Sequence, residues 1–174
     1  RAPVDEPGLA KLISKNRQKI KVTSDYREAI NNSDITFIVV PTPSVLNGAF
    51  SNKHVVSAAR NIGQVLAKKV KFHLVVVTST IMPESMDNEI IPALEKSSRK
   101  KINKGFGVCY NPEFIALGSV IDNLLNPDFV LIGESDKNSG EILESFYRQF
   151  CMNKPPVVRM NFVNAEIAKI ASAA

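Results

Sequence analysis

Three runs constrain the fold more than any other feature of the chain. "TFIVV" (36–40), "HLVVV" (73–77) and "GVCY" (107–110) are apolar at consecutive positions and rich in β-branched residues. A strand with one wet face alternates apolar and polar residues, whereas a strand buried on both faces does not. Between the first two lies "SNKHVVSAARNIGQVLAKK" (51–69), where Val55, Ala59, Ile62 and Leu66 recur at helical spacing. "DFVLIG" (128–133) reads as a further strand, and "IKVT" (20–23) and "PPVVR" (155–159) as short ones. Helices are predicted over "EPGLAKLI" (6–13), with Pro7 in the first turn, and over "SDYREAINN" (24–32), with Ser24 as N-cap. Others are predicted over 83–98, starting at Pro83 and kinked at Pro92, over 136–150, and from Asn164 to the end. Strands and helices alternate, which predicts an α/β fold: a doubly wound, mostly parallel sheet covered on both faces.

Charge and cysteine usage narrow the function classes. The 174 residues carry 22 Lys and Arg against 17 Asp and Glu, a net +5. The densest basic clusters, "AKKVK" (67–71) and "SSRKKINK" (97–104), lack interleaved aromatics and read as solvated helix ends and loops. No nucleic-acid partner is therefore expected, and the mild positive balance suits an anionic small molecule. No apolar run is long enough to cross a membrane, and no signal-peptide pattern is present. Cys109 and Cys151 are far apart, without metal-ligand spacing, and read as thiols in a reducing, cytoplasmic setting. His54 and His73 stand apart from any Cys or carboxylate cluster, so structural roles and no metal site are expected.

The candidate chemistry sits after the central strands. "TFIVV" is followed by Pro41-Thr42-Pro43, "HLVVV" by Thr78-Ser79-Thr80, and "GVCY" by Asn111-Pro112-Glu113. In a parallel sheet these ends share one edge, the edge at which open α/β folds bind ligands. Each piece alone has a plain structural reading: a helix cap, a rigid turn, a solvent-facing carboxylate. Together they place hydroxyls, an amide and a carboxylate along one crevice.

In order and spacing, "DEPGLAKLI", "KVTSDYREAINNSDITFIVVPTP", "VVTSTIMPESMDNEIIPALE", "YNPEFIALGSVIDNLLNPDFVLIG" and "AEIAKIA" resemble the UDP-glucose/GDP-mannose dehydrogenase family. The resemblance implies a Rossmann-like fold and NAD-dependent oxidation of a nucleotide sugar at C6, from alcohol through aldehyde to carboxylate, with two NAD. It implies Glu113 as the base working with a water, and Thr80 as a contact to the nicotinamide side and an active-site water. It further implies Thr42 as a cofactor contact and Lys169 beside the reacting carbon. Phe114 and Ile115 would lie along the nucleotide sugar; without the resemblance they read as core residues, and Lys169 as a solvated helix lysine.

The sequence also departs from the family pattern. Leu117 stands where a second glutamate is usual, and Ala173 where an asparagine is usual one turn after the lysine. "IMPES" replaces a small, glycine-containing segment, so Glu84 is expected to bring negative charge to a helix N-terminus and compete with an anionic ligand. The glycine-rich dinucleotide turn and the family's nucleophilic cysteine motif are absent from the sequence, and "GFG" (105–107) is a lone GxG. Beginning at Arg1, the chain is expected to be the second part of a cofactor domain (1–158) plus the start of a long central helix (159–174), inactive by itself. The complete protein would be a homodimer. The alternatives are an inactive module that binds a dinucleotide or nucleotide sugar, and a Rossmann-type dehydrogenase of simple hydroxy acids.

Overall fold

The computed structural model describes residues 2–45 and 48–173. Five strands, β1 (Ile35–Ile38), β2 (His73–Val77), β3 (Phe106–Tyr110), β4 (Val130–Glu134) and β5 (Val157–Met160), form one sheet in the order β1-β2-β3-β4-β5. Among the described residues seven α-helices accompany them: α1 (Leu9–Asn16), α2 (Tyr26–Asn31), α3 (Lys53–Leu66), α4 (Ile91–Ser98), α5 (Val120–Leu125), α6 (Lys137–Phe150) and α7 (Phe162–Ala173). β2 and β3 are buried along their whole length, as their unbroken apolar runs require. Their side chains alternate between two cores. Val75, Val77, Phe106, Val108 and Tyr110 face the layer of α3, α4 and α7. Leu74, Val76 and Cys109 face Leu143 of α6. The expected α/β architecture, a mostly parallel sheet with helices on both faces, is the one observed.

Direction is where the sheet differs from a uniformly parallel one. β1, β2 and β3 run parallel, β4 runs antiparallel to β3, and β5 is parallel to β4. The connection between β3 and β4 carries only the six-residue α5, which buries no side chain and gave no periodic signal in the sequence. With no crossover helix to carry the chain back, it re-enters the sheet from the edge it has just left.

Several element ends also depart from the sequence reading. Pro7 lies in a turn before α1, whose N-cap is Gly8 in a left-handed conformation with φ 82°. "IKVT" is extended at Ile20 but pairs with nothing, and Val22 is 91% exposed: an extended segment becomes a strand only through a ladder. The cap of α2 is Asp25, whose carboxylate accepts from the Arg27 N–H at 2.8 Å, rather than Ser24. The helix expected from Pro83 begins later, as a π-helical stretch over Met86–Ile90. Pro92 then stands in the first turn of α4, where its missing N–H is tolerated. The expected boundary at 158 falls within β5, and α7 starts at Phe162.

One glycine places α7. A Cβ on Gly133 of β4 would lie 3.0 Å from the Ala165 Cβ and 3.3 Å from the Phe162 Cα. A side chain there would press the helix a few tenths of an ångström off the sheet, and α7 carries the lysine of the candidate site.

Candidate functional site

Thr42, Thr80 and Glu113 follow the carboxyl ends of β1, β2 and β3. The three strands are neighbours and parallel, so these residues share one edge of the sheet, with β1 and β3 about 10 Å apart at ordinary strand spacing. The edge is tied together locally. The Ser79 hydroxyl accepts from the Val40 N–H at 2.8 Å and donates to the Val40 carbonyl at 2.7 Å, joining the segment before Thr42 to the residue before Thr80. The Asn111 amide donates to the Leu131 carbonyl at 2.8 Å and accepts from the Tyr147 hydroxyl at 2.5 Å. Asn111 is thus a structural tie between β3, β4 and α6, and Glu113 emerges two residues beyond it.

Glu113 and Lys169 meet. The Lys169 Nζ donates to the Glu113 backbone carbonyl at 2.6 Å and lies 3.8 Å from the Glu113 Oε2. The same ammonium sits 4.7 Å from the centre of the Phe114 ring, a cation–π distance. Lys169 is 9% exposed, whereas the Glu113 side chain is 35% exposed. A lysine that reads as solvated in the sequence is therefore buried and aimed at a carboxylate that remains open. Phe114 packs on Phe129 with ring centres 4.9 Å apart. Phe114 and Ile115 are each 36% exposed, so neither is the core residue that their apolarity alone suggests. With Glu113, Asn111, Asp128 and Tyr147 they line a pocket of about 130 Å³. Leu117 sits in a turn, 97% exposed.

Glu166 is the neighbour of the candidate site that sequence reasoning missed. It is fully buried on α7, and its carboxylate accepts from the Glu84 N–H at 2.6 Å and from the Met86 N–H at 2.9 Å. Burial raises its pKa, and the two N–H donors oppose that rise. This alters the expected role of Glu84. The amide there is already occupied by Glu166, and the Glu84 side chain turns back to accept from Asn88 at 3.2 Å. Glu84 also holds a left-handed φ of 68°, the conformation that a glycine takes at no steric cost. A sequence signal for Glu166 exists: it falls on the stripe Phe162, Ala165, Lys169 of α7, where a carboxylate is out of place.

The remaining candidates resolve into structure. Cys109 and Cys151 are buried free thiols, and burial pushes the Cys109 thiol up to about 12, far from a nucleophile's range. His73 is buried between the Ser33 carbonyl and the Thr36 hydroxyl. Gly105 of "GFG" precedes β3 and so lies at the opposite edge of the sheet from the crevice. Among the described residues no three His, Cys, Asp or Glu side chains gather as a metal site would require. Ala173 closes α7, and its side chain lies outside the described residues.

A parallel β1-β2-β3 core with ligand-type residues at its carboxyl edge and helices on both faces is a Rossmann-type nucleotide-binding architecture. Comparison with known proteins gives the family. The sequence model of the UDP-glucose/GDP-mannose dehydrogenase family, NAD binding domain, matches residues 1–151, and the chain belongs to that family. It is 39% identical over 171 residues to a GDP-mannose 6-dehydrogenase of Pseudomonas savastanoi pv. phaseolicola, covering 97% of this chain and 38% of that protein. It is 34% identical to a UDP-glucose 6-dehydrogenase of Haloferax volcanii, covering 98% of this chain and 40% of that protein. A ternary-complex structure of GDP-mannose dehydrogenase from Pseudomonas aeruginosa superposes with a TM-score of 0.94 at 36% identity, over 99% of this chain and 39% of that one. The chain therefore spans about two fifths of the length of these relatives.

Proposed function

We propose that this chain is part of an NAD-dependent nucleotide-sugar 6-dehydrogenase and supplies one wall of its active site. The observation that carries the reading is the pairing of buried Lys169 with half-exposed Glu113 in the crevice beyond the parallel strand ends. Six relatives at 35–39% identity are GDP-mannose 6-dehydrogenases, which makes GDP-mannose the first substrate to try and UDP-glucose the second.

The crevice suits the nicotinamide end of NAD better than its phosphates. It offers the hydroxyls of Thr42 and Thr80, and the buried Thr78 hydroxyl has no hydrogen-bond partner. Among the described residues no glycine-rich turn follows a strand at this edge, so the residues here would hold the nicotinamide side. Bound there, NAD would supply the hydride acceptor for both oxidations.

The chain's own residues would manage charge and protons. Removing a hydride from the C6 alcohol releases a proton, and the first product is an aldehyde. Glu113, through a water, takes that proton. The Lys169 ammonium stabilises negative charge on the C6 oxygen. The second oxidation adds water and yields the carboxylate, with release of further protons. A thiol that holds the aldehyde is not supplied by Cys109 or Cys151, which are buried. Phe114 and Ile115 form the apolar side of the sugar channel.

Residues 1–158 would then be part of the cofactor domain, and 159–174 the start of a central helix through which two copies pair. Ile167, 49% exposed on α7, suits such a contact. No helix among the described residues is long and apolar enough to cross a membrane, in keeping with a cytoplasmic enzyme.

The test uses the complete protein that carries this chain. NADH formation is followed with GDP-mannose and UDP-glucose, beside Glu113→Gln. Turnover with one sugar, slowed roughly 10²–10⁴-fold in the variant, supports the reading. Nucleotide-sugar binding without turnover would instead favour an inactive binding module, with Leu117, exposed where the family carries a second glutamate, as the place to look.

A further inference from the structure

We propose that Glu166 is a positioning residue that fixes Thr80 relative to Lys169, although its carboxylate touches neither. The inference rests on the reaction proposed above.

Three observations carry it. First, Glu166 and Lys169 share one face of α7, so their separation is set by a single helical turn. Lys169 holds the Glu113 loop, and Glu166 holds the loop after β2 through the Glu84 and Met86 amides. One helix thus grips both catalytic loops. Second, the Thr80 segment is hydrogen-bonded at both ends, and between them only the Ile81 side chain is sunk into the core. Ser79 is tied to Val40 on one side, and Glu84 to Glu166 on the other. Thr80 to Pro83 spans the two anchors, and its course depends on where the second anchor lies. Third, the position is an expensive one for a carboxylate. Burying a charge is costly, and an apolar or amide side chain would pack the same space at lower cost. The carboxylate offers two acceptor oxygens for two amide donors at fixed places, which neither alternative provides.

The geometry also explains why the left-handed Glu84 is tolerated. Its N–H is held by a charge-assisted hydrogen bond of 2.6 Å, and the strained residue is itself the anchor point.

The experiment places Glu166→Gln and Glu166→Asp in the complete protein, alone and combined with Thr80→Ala. The amide of the Gln variant turns one acceptor into a donor, so either Glu84 or Met86 loses its partner. Expected is a fall in kcat on the order of 10–100-fold, as for reacting groups displaced by about 1 Å, with KM for the sugar nucleotide within about threefold. Glu166→Asp keeps both acceptor oxygens and should recover part of the rate; it also carries the test alone if the Gln variant does not fold. In the Thr80→Ala background the Glu166 change should add almost nothing, because the side chain it positions is gone. An unchanged kcat, or a loss that is fully additive with Thr80→Ala, overturns the proposal and leaves Glu166 as packing. If the wild-type protein shows no turnover, the proposed reaction has failed, and the same cycle is read from NAD affinity. A Kd weakened about tenfold by Glu166→Gln, but not in the Thr80→Ala background, then upholds the positioning role, and additivity overturns it.

Discussion

Two lysines in this chain are buried to the same degree and do opposite things. Lys69 is 8% exposed and Lys169 is 9% exposed. The Lys69 ammonium lies at the amino edge of the sheet, where it donates to the Ile30 carbonyl and, at 2.6 Å, to the Ser33 carbonyl, closing off the end of α2. Its own carbonyl accepts from Lys100 at 2.7 Å. Both acceptors of its ammonium are backbone carbonyls, and burial lowers its pKa. The Lys169 ammonium lies beyond the carboxyl edge, bonded to one carbonyl and 3.8 Å from a carboxylate that still sees solvent. Burial alone therefore does not distinguish a structural cation from the one proposed to act on substrate. What distinguishes them is whether the partner is closed backbone or an open titratable group at a ligand-binding edge.

Exchanging each lysine for methionine is the strongest way to break that comparison. Lys169→Met in the complete protein should lower kcat by roughly 10²–10³-fold, the usual cost of one donor to a developing oxyanion. Its stability should stay within about 1 kcal/mol of wild type, since a methionine fills the same channel beside Phe114. Lys69→Met should do the reverse. It removes a charged donor from each of the Ile30 and Ser33 carbonyls and should cost about 2 kcal/mol in urea unfolding with kcat unchanged. A Lys69 variant that loses activity while remaining folded would dissolve the distinction.

The two lysines also show how far the sequence could be read. The parallel core was legible because β2 and β3 need no context: runs such as "HLVVV" can only be buried on both faces. The shared edge of Thr42, Thr80 and Glu113 followed from strand direction alone. The reversal at β4 was not legible, because the connection after β3 is long enough to permit either direction and α5 is too short to announce itself. The burial of Lys69, Glu166 and Lys169 was hidden for a different reason. Each sits in a helical or loop stretch where charge ordinarily means solvent, and only the packing of α7 at Gly133, or of the α2 end against the start of β2, removes the water. Local pattern fixes elements; the partner of a buried charge is a long-range property.

His73 sharpens the amino-edge side of the comparison through pH. Burial, reinforced by the neighbouring Lys69 charge, lowers its pKa to about 4, so the fold holds it neutral. The unfolded chain binds a proton there below about 6.5 and the folded chain does not, so stability falls as pH drops between those values. The loss should approach about 2–3 kcal/mol by pH 4 and then level off for this group. His73→Asn should be less stable at pH 7, where the bonds to Ser33 and Thr36 are rearranged, but its stability should fall less steeply between pH 6.5 and 4. Urea unfolding of both proteins across that range measures the difference. Equal slopes would mean that His73 is charged in the fold and that the amino edge is not the closed cluster described.

The smallest effect belongs to the crevice edge. Glu84 holds φ 68°, a conformation that costs a side-chain-bearing residue about 1–2 kcal/mol, whereas glycine adopts it freely. Glu84→Gly removes that cost and adds the entropy of a more flexible unfolded chain, about 0.5–1 kcal/mol. It also removes the exposed bond to Asn88, which contributes little. The net expectation is a gain of about 0.5 kcal/mol in unfolding free energy. The N–H that Glu166 grips is backbone and survives the change, so kcat should not move. A stabilised variant with unaltered kcat would assign the anchoring to the amide and to Glu166. A stabilised variant with lowered kcat would show that the stiffness of a left-handed glutamate, and not only its hydrogen bond, holds the Thr80 segment in place.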